Sequence, residues 1–229
     1  MDLASTRILL GSAVTGGIVL PNIGDYWTEQ GGYFVGTISH TANGVATHAL
    51  ITADRSLGAV GAGYGGSDSR CQFPFSLVGA SSLYDGVANS NAYGTTAAAV
   101  NFCTALTIAG FSDWYLPALM ELEIAYFHLK PLSNVNTTAY GTNDYSVPKR
   151  TSNYTSGNPG ETSVQAFRMT TNPTGTQSFE AQVNSGVHWS STETSTNTGK
   201  RFNFVNGNIQ NSANKLNGEK IRAFRRVAL

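Results

Sequence analysis

The residues of this chain best suited to recognition chemistry fall between Thr194 and Asn217: Thr194, Ser195, Asn197, Arg201, Asn203, Asn206, Asn208, Gln210, Asn211, Asn214 and Asn217. A carboxamide carries two donors and an acceptor on a short stem, so a row of them suits sugar hydroxyls or a polar protein epitope. Asparagine is a poor strand former, and its repetition here has two accounts: it fills turns, or it forms a displayed binding face. Covalent chemistry has less support. His40, His48, His128 and His188 fall in no metal-binding spacing, and neither a G-x-S-x-G elbow nor a P-loop is present. The stretch GAGYGG (61–66) lacks the flanking strand and helix that dinucleotide binding requires. Fourteen acids offer no carboxylate pair that spacing singles out for glycoside hydrolysis. The expectation is a non-enzyme with no catalytic residue, metal or cofactor.

That polar stretch needs elements to hold it. Residues 187–192, 200–205, 208–214 and 220–227 are strand-sized pieces parted by turns such as Asn206-Gly207 and Asn217-Gly218, predicting a C-terminal antiparallel meander. Phe202 and Phe204 alternate with Arg201, Asn203 and Val205, and Arg222, Phe224 and Arg226 alternate with Ile221, Ala223 and Arg225. Such alternation marks half-buried strands. Upstream, runs of strand formers at 32–39 and 47–53 flank Asn43-Gly44 and predict an early hairpin. Ala97, Val100, Ala105 and Leu106 predict a helix over 95–109, with Thr95 or Thr96 as N-cap and Gly110 past its end. Pro117 opens a second helix, carried by Leu119, Leu122, Tyr126 and Leu129 and stopped by Pro131. Glu121 and Glu123 fall early in it, where the helix dipole favours anions. Segments 57–68, 70–91 and 132–185 show no sustained period and read as irregular. A loop region as long as the last is functional or conceals small elements.

Size and composition bound the rest. A chain of 229 residues fits one large domain or two small ones and can bury roughly 70% of its unfolded surface. Charged residues are 12% of the chain and the net charge is zero, so no basic field gathers nucleic acid or anionic lipid. The 25 glycines with 10% aromatic residues fit a loop-rich, β-containing globular protein. Gly11, Gly16 and Gly17 break the only early apolar run, which therefore predicts neither a signal peptide nor a membrane span. Synthesis in the cytoplasm follows, and Cys71 and Cys103 are expected as buried thiols rather than a bridge. Residues 1–20 are expected to be a docking arm or an ordinary first strand, and 21–229 a single domain.

Three words, DWYLPALMEL (113–122), HWSSTE (188–193) and KIRAFRRV (220–227), resemble the DUF1566 family, also called Lcl C-terminal-like, over about residues 95–227. GGYFVGTIS, ATHALITAD and YDGVANSNAY resemble the leading half of longer members found in tailed bacteriophages. The resemblance implies an α+β, C-type-lectin-like or formylglycine-generating-enzyme-like fold: two helices flanking a twisted antiparallel sheet, loop-rich, with first and last strands paired. It implies a bacteriophage virion protein, a tail-fibre or receptor-binding subunit. Thr194, Asn197, Arg201, Asn203, Asn206, Asn208, Gln210, Asn211 and Asn214 would face a host-surface glycan or protein. In some relatives this region is diversified through adenine-rich codons such as those of Asn. Other virion proteins are expected partners, and a homotrimer fits a fibre tip. The rival is an architectural subunit of collar, neck or head decoration that binds only virion proteins. Trp114, Pro117, Trp189, Glu193 and Arg222 are expected as framework, with Trp114 plugging the core before the Pro117 helix and Trp189 burying most of its ring where its N–H finds an acceptor. Glu193 is expected to pair with Arg222, Arg225 or Arg226. Formylglycine chemistry does not carry over, because Cys71 and Cys103 fall too early. Neither Asn158-Pro159-Gly160-Glu161 nor Asn172-Pro173-Thr174 matches a calcium-lectin word.

Overall fold

The computed structural model describes residues 14–15, 17–61, 68–169, 176–179 and 186–229. Strands β1 (Val14–Thr15) and β2 (Ile18–Val19) pair with each other; β3 (Tyr26–Trp27) leads into β4 (Gly32–Ile38) and β5 (His48–Thr52). The helical turn α1 (Arg55–Gly58) and β6 (Ala59–Val60) precede helices α2 (Gly86–Tyr93), α3 (Ala98–Thr104) and α4 (Leu119–Leu129). After β7 (Ser146–Val147) come β8 (Val187–Glu193), β9 (Thr198–Asn203), β10 (Asn208–Asn214), β11 (Ile221–Arg222) and β12 (Phe224–Ala228). One antiparallel sheet runs β12-β5-β4-β3, with β7 also on β4; a second runs β10-β9-β8; β11 pairs with β6. The plan is α+β. Residues 1–13 of the expected arm, 62–66 of the glycine stretch and Asn172-Pro173-Thr174 lie outside the described residues.

The early hairpin is present, paired from Tyr33 opposite Thr52 to Ile38 opposite His48 with a one-residue register shift between Phe34 and Gly36. Phe34, Ala49, Ile51 and Ala53 join a core around Trp114 and Trp189, whereas Val35, Ile38 and Leu50 join a core around α4. Both faces of the sheet are covered, which explains its nearly continuous apolar sequence. Its connection is longer than a tight turn: Asn43 Oδ1 accepts from Ser39 Oγ and Val45 N, and positive φ falls on Ala42 and Gly44.

Helix α4 starts at Leu119, two residues past the Pro117 expected to open it, because Ala118 is the N-cap; it stops before Pro131 as expected, and Leu119, Leu122, Tyr126 and Leu129 are all buried. It touches β4 in one sheet and β8 and β9 in the other, so it forms the layer between them. Glu121 and Glu123 lie deeper than a dipole effect requires, both almost wholly buried. Glu121 Oε2 accepts from Ala118 N at 2.7 Å, satisfying an N-terminal donor that helix geometry leaves orphaned.

The predicted helix over 95–109 shortens to α3. Thr96 Oγ1 donates to Tyr93 O at 2.6 Å instead of capping, and Ile108 leaves the helix to bridge Phe111. Segment 70–91, expected as irregular, contains all but the last two residues of α2, capped by Asp85 Oδ1 on Ala88 N at 2.8 Å. A third helix therefore joins the two expected. Gly86 starts it because a Cβ there would lie 2.5 Å from Glu121 Oε2 and 2.7 Å from Tyr115. The meander also has three strands, not four. The chain leaves β10 for β11 and β12, and β12 closes the first sheet against β5. From Ile221 to Arg225 every residue is buried, so the expected half-buried alternation is overturned there.

Candidate functional site

The β8-β9-β10 sheet has two unlike faces. Phe202, Ile209 and His188 are register partners on the face turned to α4, where His188 meets Phe179 and Phe204 edge-on. On the other face, Arg201 lies opposite Gln210 and Asn203 opposite Asn208. Val187 and Trp189 continue that row on β8 but are covered. Trp189 Nε1 donates to Asn217 O at 2.9 Å, and Trp114 Nε1 to Phe111 O at 3.0 Å, so both rings are framework with their donors satisfied.

The polar residues divide into two groups along the hairpin. Arg201, Asn203, Asn206, Asn208 and Gln210 are half-buried, whereas Thr194, Asn197, Asn211 and Asn214 are exposed. These four come together at the end away from Asn206. Thr194 Oγ1 donates to Asn211 O at 2.8 Å, Lys215 N donates to Asn197 O at 3.0 Å, and Asn214 lies opposite Thr198. Lys200 Nζ donates to Asn211 Oδ1 at 2.7 Å. At the Asn206 end, Gly207 has φ of +72°, and a Cβ would lie 2.7 Å from both Tyr126 and Tyr154. That turn is thereby seated on α4 and the long loop.

Both accounts of asparagine apply, at different positions. Asn203 Oδ1 accepts from Val205 N, Asn206 Oδ1 from Asn208 N and Asn214 Oδ1 from Leu216 N, each an Asx turn. Asn197, Asn208 and Asn211 are not used in this way. Arg201 is a strut, donating to Gln210 Oε1 and Glu219 Oε1. Burial raises the Glu219 carboxyl pKa, and the Arg201 guanidinium opposes that.

Glu193 is held differently from the expectation. Its Oε1 accepts three consecutive backbone N–H groups, Val78 at 3.0, Gly79 at 2.6 and Ala80 at 2.8 Å. Lys215 Nζ meets Oε2 at 3.1 Å and also donates to Ser76 O at 2.6 Å, with both ionic side chains 1% exposed. Successive N–H groups make an anion nest, and the carboxylate fills it. The three arginines go elsewhere. Arg222 donates to Ala53 O and to Gln177, whose Nε2 donates on to Asp54 at 2.8 Å. Arg225 pairs with Asp113, and Arg226 with Asp85 at 2.8 Å. Burial pushes the Arg222 guanidinium pKa down to about 9, so it stays charged at neutral pH.

Two further clusters had no sign in the sequence. Glu123 accepts from Arg150, Tyr154 and Asn143, tying α4 to the long loop region. His40 and His48 lie with ring centres 4.4 Å apart and planes tilted by 37°, beside Arg226 and Asp85. Burial and then Arg226 hold the His40 pKa down to about 4. Among the described residues no three His, Cys, Asp or Glu side chains converge as metal ligands, and no helix is long and apolar enough to cross a membrane. Cys71 and Cys103 are unbridged and buried, and burial raises the Cys71 thiol to about 12. Compared with protein-family models, curated proteins and solved structures, the chain matches none.

Proposed function

We propose that this chain is a bacteriophage virion protein, a tail-fibre or receptor-binding subunit with a C-type-lectin-like domain. In this reading, it presents the β9-β10 hairpin to a host-surface glycan or protein. The observation that carries the reading is a division of labour within the DUF1566-like region. Trp114, Trp189, Glu193 and Arg222 are buried at 4% exposure or less, while the stretch between the last two words carries an exposed polar ridge. Asn197 and Asn211 lie on that ridge, Asn208 is half-buried toward the Asn206 end, and no side chain of the three makes a turn, so they are the contacts to test. Virions carrying Asn197→Ala, Asn208→Ala and Asn211→Ala together should assemble normally and attach to host cells at least about tenfold more slowly, a change of roughly 1.4 kcal/mol. Normal attachment would remove the receptor reading.

One observation favours the architectural rival. Phe75, Leu77 and Leu216 are 46%, 66% and 49% exposed, on two loops joined by Phe73 N to Lys215 O and Gln72 Nε2 to Leu216 O. Exposed apolar side chains on neighbouring, tied-down loops suit a contact with another virion protein. Under that reading, serine at all three positions blocks assembly while the triple asparagine variant attaches normally.

A further inference from the structure

A cleft of about 410 Å³ opens between α2, the end of α3 and the stretch 112–115, lined entirely by described residues. Residues with hydrogen-bonding side chains line it from separate elements: Asn91 from α2, Thr104 from α3, Ser112 and Asp113 from the loop, and Arg226 from β12. Asn91, Thr104, Ser112 and Asp113 are exposed, so a ligand reaches them without opening the core. Trp114 and Tyr115 also line the cleft and are fixed from behind. Trp114 Nε1 is held on Phe111 O, and Tyr115 OH donates to Glu121 Oε1 at 2.7 Å.

The electrostatics select the class of ligand. Arg226 is matched by Asp85 at 2.8 Å, and Asp113 by Arg225, which also lies 3.8 Å over the Phe111 ring. An anion would meet the Asp113 carboxylate, and a cation would meet Arg226. What remains favourable is an uncharged molecule rich in groups that both donate and accept: a hydroxyl donates to Asp113 and accepts from the Asn91 amide or Arg226. Small-ligand sites span roughly 300–1,000 Å³, so this cleft is near the lower end, a size for one or two sugar rings. We propose that it is a binding site for a neutral saccharide of that length. It shares no residue with the β9-β10 ridge and does not depend on the ridge's role.

Saturation-transfer NMR on the full chain tests this with methyl glycosides of glucose, galactose, mannose and N-acetylglucosamine as probes. At least one should receive saturation from the wild-type protein. Its affinity should fall about tenfold in Asn91→Ala, where one polar contact is lost, and transfer should vanish in Ser112→Trp, which fills the mouth. The Asn197→Ala, Asn208→Ala, Asn211→Ala protein should bind as wild type. No transfer to any of the four probes overturns the proposal, as does transfer that survives Ser112→Trp or is lost only in the triple variant. Should Ser112→Trp melt earlier than wild type, Asn91→Ala and Thr104→Ala decide, and unchanged affinity in both overturns it.

Discussion

Two stretches of the C-terminal third treat the same residue types in opposite ways. In β8 and the closing strands, polar side chains are buried and bound to distant partners. Glu193 reaches Ala80 N, 113 residues away, Thr192 Oγ1 donates to Ser82 O at 2.8 Å, and Arg222 holds Ala53 O. In the hairpin between them, polar side chains bind their own neighbours: Asn203, Asn206 and Asn214 each accept from a backbone N–H two residues on. The difference is one of substitutability. A buried group leaves its partner stranded when removed, whereas water replaces an exposed one. Buried and exposed polar groups can therefore share one short sequence and one type of chemistry, with burial deciding which are replaceable.

The sharpest way to break that comparison is Glu193→Ala. It leaves Lys215 buried without its counter-charge and three N–H groups without an acceptor, which should cost roughly 3–5 kcal/mol in urea denaturation. Glu193→Gln keeps an acceptor for the nest and should cost less. A loss under about 1 kcal/mol in Glu193→Ala would show that the buried network does not carry the framework.

Next in size is a pH effect confined to the buried face. Burial, with Lys220, depresses the His188 pKa to about 3, below its ordinary 6.5. As pH falls from 6.5, the unfolded chain takes up a proton that the folded chain refuses, so stability is lost on the way down to pH 3. His188 lies edge-on to Phe179 and Phe204, so Phe fits its place. From pH 6.5 to 4.5, wild type should lose roughly 2 kcal/mol more stability than His188→Phe. Equal losses would place His188 in water. The smallest effect belongs to the asparagines of the hairpin that make no turn: Asn197→Ala, Asn208→Ala and Asn211→Ala should each change stability by no more than about 0.5 kcal/mol.

What could be read from the chain follows the same division. Helix α4 was legible because its buried face is an apolar stripe, Leu119, Leu122, Tyr126 and Leu129. Helix α2 was not, because its buried face carries a single large apolar group, Tyr93, beside Gly86, Asn89 and Ser90, and Asn89 is satisfied by Ser82 at 2.7 and 2.9 Å. No periodicity rule scores a buried asparagine as inward. Arg222 is buried framework as expected, but its partners were not legible: in place of Glu193 it meets the carbonyl oxygens of Ala53 and Gln177. Glu193's partners come from a loop 113–115 residues earlier and from Lys215, and spacing carries no information about them. The Asn-rich stretch was visible from composition, but only the hydrogen bonds separate Asn203, Asn206 and Asn214, which make turns, from Asn197, Asn208 and Asn211.

The most direct test of the proposal that the hairpin binds a receptor is competition. Purified wild-type protein and purified Asn197→Ala, Asn208→Ala, Asn211→Ala protein are each mixed with host cells before virions bearing this chain are added, and the attachment rate is measured. If the hairpin binds the receptor, wild-type protein slows attachment in proportion to its concentration and the triple variant, equally stable, does not. Equal blocking by the two proteins, or none by either, contradicts it.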